Sequence, residues 1–185
     1  MITPTGGRPG GPPLRDVGKE GGGPGEHNPQ DSKECATMRK RLMEDPNAAS
    51  AIDAAWTRSQ ATDEHPKREE GGLFGKVDAT GSSIDSVFVR EGNAQGSLPG
   101  FGQWAQKKIR DNRGVATYDF WYHTHPHEAG EIVAGEGQAI NPEFPTGEGG
   151  DIGVSQDLDL LGILITKKHV TVFDKKGFIR CYFDR

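Results

Sequence analysis

Apolar residues near the start of the foldable chain recur at helical spacing. Ile52 and Trp56 are four residues apart, a separation that places two side chains on the same face of a helix. Asp31 or Ser32 can cap an earlier helix, because a short polar side chain accepts hydrogen bonds from free backbone amides. Asp45-Pro46 ends that helix and opens the next. The predicted helices cover residues 33–43, 48–59 and 104–112.

Further along the chain, apolar residues form short runs bounded by turn residues, a pattern typical of strands. Two such runs flank the turn sequence 78–81, and two more flank a tight turn at 174–177, so each pair predicts a hairpin. The predicted strands are 72–77, 83–89, 115–122, 162–166, 170–173 and 178–183. Helices followed by a mixed, mostly antiparallel sheet with one inserted helix predict an α+β fold, arranged like an α/β/α sandwich.

Glycine and proline divide the chain into a tail and a domain. Residues 1–30 are rich in both, and such a composition buries too little apolar surface to offset the entropy of ordering. We interpret residues 1–30 as a disordered tail or linker and residues 31–185 as the domain. The tail is either the former junction to a longer polypeptide or a solubilising extension. A second Gly-rich stretch, 127–150, has no periodicity and is predicted to be a functional loop.

The charge pattern excludes few classes of protein, but it does not favour a basic, nucleic-acid-binding one. The net charge is -5, and the 22 Lys and Arg residues are scattered, so the sequence lacks the basic stripe of a nucleic-acid-binding protein. No run of apolar residues is long enough for a membrane span, and the N-terminus has no apolar signal-peptide core. The sequence therefore predicts a soluble protein without a membrane partner and gives no support for a nucleic-acid partner. Any export would use a route independent of a signal peptide.

The two cysteines, Cys35 and Cys181, are too few for a disulfide scaffold and are not spaced as a thiolate zinc site. The sequence does not decide whether a single disulfide joins the two cysteines.

The sequence His123-Thr124-His125-Pro126 follows directly on the apolar strand 115–122. Two histidines one residue apart on a strand point to the same side, as two ligands of one metal ion require. Paired histidines also occur on solvated strands, but a strand end broken by proline is where sheet proteins place open sites. A hydrolytic zinc site then needs a third ligand and a carboxylate base.

This motif, together with two others, resembles the JAMM (MPN-type, JAB-like) metalloprotease family, which includes ubiquitin isopeptidases. Glu69-Glu70-Gly71-Gly72-Leu73-Phe74-Gly75 matches the family's E-x-x-G-x-L element, and some fifty residues later His123-Thr124-His125-Pro126 matches H-[ST]-H-P. Asp151 lies where the family's helix-opening Asp is found. The resemblance implies the cytidine-deaminase-like JAB/MPN architecture, zinc ligated by His123, His125 and Asp151, and Glu69 as the base.

The chain departs from the family pattern around the third ligand. Glu148 replaces the family's Ser, so Thr146 or Ser155 would have to support the oxyanion. The stretch between the histidines and Asp151 is longer than in compact members of the family, so an insertion over the site would form either a lid or a substrate-selecting loop.

Other carboxylates compete for the proposed roles. Asp157 and Asp159 are alternative third ligands, and Asp157 could instead favour a helix N-terminus capped by Ser155. Glu70 competes with Glu69 as the base, but consecutive strand residues face opposite ways, so only one of them can reach the metal-bound water. The register implied by the family resemblance favours Glu69 and gives Glu70 the role of a solvated charge. His127 and Glu128 are spare ligands or exposed loop residues.

The resemblance implies zinc-dependent cleavage of amide or isopeptide bonds in a protein or peptide substrate. Related domains end bacterial polymorphic toxins, which implies an effector delivered to a target cell and a cognate immunity protein as partner. The alternative is an inactive MPN-type scaffold for protein interaction.

Overall fold

The computed structural model describes residues 32–61, 66–76, 85–92, 98–113, 116–133, 137–138, 145–147 and 150–185. Its helices are α1 (Lys33–Arg39), which continues into a π-helical turn (Lys40–Glu44), α2 (Pro46–Ser59), α3 (Phe101–Asp111) and α4 (Asp151–Leu158). Its strands are β1 (Glu70–Lys76), β2 (Asp85–Glu91), β3 (Thr117–Thr124), β4 (Ile132–Val133), β5 (Gly137–Gln138), β6 (Leu161–Ile165), β7 (His169–Phe173) and β8 (Ile179–Asp184). The tail 1–30 and the turn 78–81 lie outside the described residues.

Local capping explains where the first helices begin. The Ser32 side chain accepts a hydrogen bond from the Cys35 amide at 3.0 Å, and Asp45 caps α2 through the Asn47 and Ala48 amides. The helices predicted at 33–43 and 48–59 are confirmed, with α2 starting two residues early because Pro46 occupies its first turn. The helix predicted at 104–112 is also confirmed and begins at Phe101.

The main sheet has six strands in the order β2-β1-β3-β6-β7-β8. Only β3 and β6 are parallel, and every other pairing within it is antiparallel. Both predicted hairpins, β1–β2 and β7–β8, are therefore confirmed, as are the α+β class and the mixed, mostly antiparallel sheet. Because β3 and β6 run parallel, their C-terminal ends lie at the same edge of the sheet.

Each face of the sheet packs against its own helices. Phe120 and Tyr122 point toward α1 and α2, whereas Trp121 points toward α3 and α4, as the period of two in a strand requires. All three aromatic side chains are at most 1% exposed and belong to the core. The residue after Tyr122, His123, is consequently directed to the α3 and α4 face.

A disulfide joins the first helix to the last strand. Cys35 on α1 and Cys181 on β8 are bonded, with their Cα atoms 5.4 Å apart, so the bridge that the sequence left undecided is present.

Among the described residues, no helix combines the length and the apolar character needed to cross a bilayer.

Candidate metal centre

The two histidines lie at the C-terminal end of β3, where backbone contacts with the neighbouring strands hold them. His123 pairs with Gly71 of β1 and Leu164 of β6, and the His125 amide donates to the Ile165 carbonyl at 2.9 Å. Between them, Thr124 is buried, and its hydroxyl accepts from the Glu70 amide at 2.9 Å. The start of β1 is thereby fixed to the residue that separates the two imidazoles.

Gly71 is needed because of the close approach around this strand end. An added Cβ would lie 2.7 Å from Leu98 Cδ1 and 2.8 Å from Phe101 Cε2. Both distances are shorter than real carbon contacts, so a larger residue would require the side chains of Leu98 and Phe101 to shift.

His123, His125 and Asp151 come together at this edge. His123 Nε2 lies 3.0 Å from His125 Nε2 and 3.1 Å from Asp151 Oδ1, and His125 Nε2 lies 3.8 Å from Asp151 Oδ2. Ligands bonded at 2.0–2.1 Å in a tetrahedron are about 3.3 Å apart, which these separations bracket. The donor set thus fits a small four-coordinate cation that takes nitrogen and oxygen ligands.

Asp151 is held in place by the loop before α4. Its amide donates to Thr146 Oγ1 at 3.0 Å, and its Oδ2 accepts from the Thr146 amide at 2.7 Å, so each residue caps the other. Gly150 allows this exchange, because a Cβ there would lie 2.0 Å from Thr146 Oγ1. The carboxylate sits in the first turn of α4, where the helix dipole favours negative charge.

Electrostatics couple the histidine and the aspartate. Burial alone would lower the pKa of His123, but attraction to Asp151, a hydrogen bond to it, and the nearby charge of Glu69 together raise the pKa above 6.5. Burial would likewise raise the pKa of Asp151, yet the charge and hydrogen bond of His123 outweigh it and hold the pKa far below its usual range. Both pKa shifts favour the charged forms, an imidazolium beside a carboxylate.

Glu69 and Glu70 point to opposite sides of the sheet, as predicted. Glu69 Oε1 lies 3.9 Å from His125 Nε2, and the side chain is partly exposed. Glu70 is only 1% exposed and accepts two hydrogen bonds from Arg58, at 2.6 and 2.7 Å, and one from the Tyr122 hydroxyl at 3.2 Å. The prediction of Glu70 as a solvated charge was wrong, because α2 supplies a guanidinium that lets the carboxylate be buried.

The alternative third ligands are not among the three grouped side chains, although Asp157 lines the same cavity. Asp157 is exposed in the last turn of α4, and Asp159 follows the helix and pairs with Lys175 at 2.6 Å. The suggested role of Asp157 at a helix N-terminus was wrong, because α4 begins at Asp151. Ser155 caps no helix either: it is fully buried within α4, and its Oγ accepts from Trp121 Nε1 at 2.7 Å.

His127 and Glu128, the spare ligands, are engaged with other residues. His127 Nδ1 lies 3.1 Å from Glu131, which Lys67 also contacts at 2.8 Å, and Glu128 pairs with Lys167 at the surface. Among the described residues, the only group of three or more side chains arranged to hold a metal ion is His123, His125 and Asp151.

The three grouped residues line an open cavity of about 560 Å³. One wall is the start of α3 with the residues before it, and the other is α4 with Thr146. No Lys or Arg is among the described residues that line it. The sequence pattern missed the α3 wall, because nothing in the periodicity of that helix indicates which of its ends faces a cavity. The lining residues are Glu69, Leu98, Pro99, Gly100, Phe101, Gly102, Gln103, Trp121, His123, His125, Thr146, Gly150, Asp151, Gly153, Val154 and Asp157.

No protein-family model matches this chain, and no curated protein matches its sequence.

Proposed function

We propose that this protein is a zinc-dependent hydrolase of amide or isopeptide bonds. The observation that carries the proposal is the convergence of two imidazoles and a carboxylate, with the separate carboxylate of Glu69 beside them, on one open cavity. Three protein ligands with a free coordination position are typical of catalytic zinc sites, whereas structural sites use four.

The catalytic roles follow from the positions of the side chains. Zinc, when bound, supplies a Lewis acid and lowers the pKa of a bound water to about 7. Glu69 takes the proton of the attacking water and returns it to the leaving amine as the C–N bond breaks. Thr146 accepts from the Asp151 amide, which leaves its own hydroxyl proton free to donate toward the developing oxyanion. Ser155 is not assigned that role, because its hydroxyl oxygen is buried against Trp121.

The JAMM resemblance supports the same assignment independently of the distances. A glutamate precedes β1, the H-x-H motif ends β3, and an aspartate opens α4, which is the family's order of elements. On these grounds we assign residues 31–185 to the JAB/MPN architecture as part of the proposal. The Gly- and Pro-rich residues 1–30 are consistent with the former linker of a toxin or effector domain, and such a domain would have a cognate immunity protein as its partner.

The direct test is metal-dependent hydrolysis. Full-length protein would be stripped with a chelator, dialysed, reloaded with one equivalent of zinc, and assayed on a quenched-fluorescence peptide library and on isopeptide-linked peptides. We expect cleavage only in the reloaded sample. Zinc binding without cleavage of any substrate would favour the inactive scaffold, and absence of zinc binding would overturn the metal site.

Zinc binding should weaken as the pH falls, because zinc must displace the proton shared by His123 and Asp151. The pKa of His123 is raised, so this competition begins above pH 6.5. Below that pKa, the apparent affinity is expected to drop about tenfold per pH unit for one displaced proton. Competition with a chromogenic chelator between pH 5.5 and 8.5 measures the slope, and an affinity independent of pH would contradict the assigned ligands.

A further inference from the structure

Among the described residues, none forms a hydrogen bond with one of the two ring nitrogens of His123. Histidines that bind metals generally donate from the second ring nitrogen to a carboxylate, a carbonyl or water, and this contact fixes the orientation of the ring. His123 Nδ1 is buried and has no hydrogen-bond partner within the described part of the chain. Within the described residues, the ring is instead in contact with a neighbouring aromatic side chain.

Trp121 provides a contact of the right kind. Its indole lies nearly parallel to the His123 imidazole, with ring centroids 4.9 Å apart and an interplanar angle of 13°. The two residues are two apart on β3 and so face the same side of the sheet. This offset stacking restricts the tilting of the imidazole out of the plane that directs Nε2 toward Asp151 and His125.

Trp121 is in turn fixed by a single polar contact inside the core. Its Nε1 donates to Ser155 Oγ at 2.7 Å, and both side chains are at most 1% exposed. The edges and faces of the indole are confined by Phe173, at 90° and 5.7 Å, and by Phe101, at 5.6 Å. The hydrogen bond decides which way the indole faces within this apolar enclosure, since a buried N–H without an acceptor is costly.

The acceptor and one proposed ligand belong to the same helix. Asp151 and Ser155 are four residues apart on α4, so they lie one turn apart on a shared face. Helix α4 therefore contributes to the site in two ways. It supplies Asp151 directly, and its Ser155 acts on His123 through Trp121. A shift of α4 would move both the carboxylate and the imidazole.

We infer that Ser155 and Trp121 are positioning residues that orient His123 for metal binding in place of the missing hydrogen bond at its Nδ1. This inference rests on the proposed metal site and assigns Ser155 a role distinct from oxyanion support. Through the contacts of Ser155 with Trp121 and of Trp121 with His123, the orientation of the His123 imidazole depends on the packing of α4.

The test is a double-mutant cycle read out by metal binding in the full chain. Ser155→Ala removes the acceptor, Trp121→Phe keeps an aromatic face but removes the donor, and the double variant removes both. Zinc affinity is measured by competition with a chromogenic chelator, the coordination geometry by the visible spectrum of the cobalt-loaded protein, and stability by thermal unfolding of the metal-free protein.

We expect each single variant to bind zinc about 10- to 100-fold more weakly, which is the usual cost of losing an outer contact to a metal ligand. The cobalt spectrum should shift as well. The double variant should be no worse than Trp121→Phe alone, because the two residues act through one contact.

Ser59→Ala is the matched control. Ser59 is also fully buried in a helix and donates to the Trp56 carbonyl at 2.7 Å, but it lies on α2, across the sheet from the site. Its loss should lower stability without changing zinc affinity or the cobalt spectrum.

Wild-type zinc affinity and an unchanged cobalt spectrum in Ser155→Ala and Trp121→Phe would overturn the inference, as would an equal loss of affinity in Ser59→Ala. Failure of the unmodified protein to bind either metal would instead overturn the proposed function, and this inference with it.

Discussion

Replacing Glu69 with Gln is expected to leave one zinc ion bound per chain and to reduce hydrolysis by about 10²- to 10⁴-fold, the usual contribution of a general base. Gln has the same size as Glu but cannot take a proton from water. The carboxylate stands 3.9 Å from His125 Nε2 and is not one of the three grouped ligands, so metal binding should survive. Zinc content by elemental analysis and turnover on a cleaved substrate are measured on the same sample.

Glu70→Gln is the neighbouring control for this experiment. The Glu70 side chain faces α2 and pairs with Arg58, so its neutralisation should cost about 1–3 kcal/mol of unfolding free energy while zinc binding and turnover persist. An unchanged hydrolytic rate in Glu69→Gln would rule out Glu69 as the base. If Glu70→Gln lost as much activity as Glu69→Gln, the loss would indicate a structural disturbance at the start of β1 rather than the removal of a base.

Replacing Asp151 with Asn should lower zinc affinity by more than the roughly 10- to 100-fold cost of an outer contact, because it removes the single ligand that carries charge. Asn keeps the size of Asp and can still accept from the Thr146 amide, so the start of α4 should be preserved. Chelator competition measures the affinity, and far-ultraviolet circular dichroism checks the fold.

Asp157→Asn and Asp159→Asn provide controls on the same helix and just beyond it. Asp157 is exposed and outside the ligand group, and Asp159 pairs with Lys175 at the surface. Both variants should bind zinc as tightly as the unmodified chain. A large loss in Asp157→Asn combined with tight binding by Asp151→Asn would transfer the ligand role to Asp157.

Much of the fold and part of the candidate site follow from local sequence rules. Ser32 and Asp45 cap helices through amides two or three residues away, and strand alternation alone sends Glu69 and Glu70 to opposite faces. The same alternation places His123 beside Trp121 and opposite Tyr122. Such contacts depend on a few consecutive residues, which is why they can be predicted from a single chain.

The remaining features depend on contacts between distant segments. Burial of Glu70 requires Arg58 from α2, and the position of Ser155 requires the indole of Trp121 from β3. The start of α4 is set by the exchange between Thr146 and Asp151 within a Gly-rich loop that has no periodic signal. Sequence patterns could therefore propose Asp151, Asp157 and Asp159 as ligands, but only packing distinguishes among them.

The most direct test of the central claim is a crystal structure of the zinc-loaded protein with anomalous diffraction collected at the zinc absorption edge. The account predicts one strong anomalous peak within bonding distance, about 2.0–2.2 Å, of His123 Nε2, His125 Nε2 and an Asp151 oxygen, with the Glu69 carboxylate facing the open position. A peak located elsewhere, or a Glu69 side chain directed away from the metal, would contradict it.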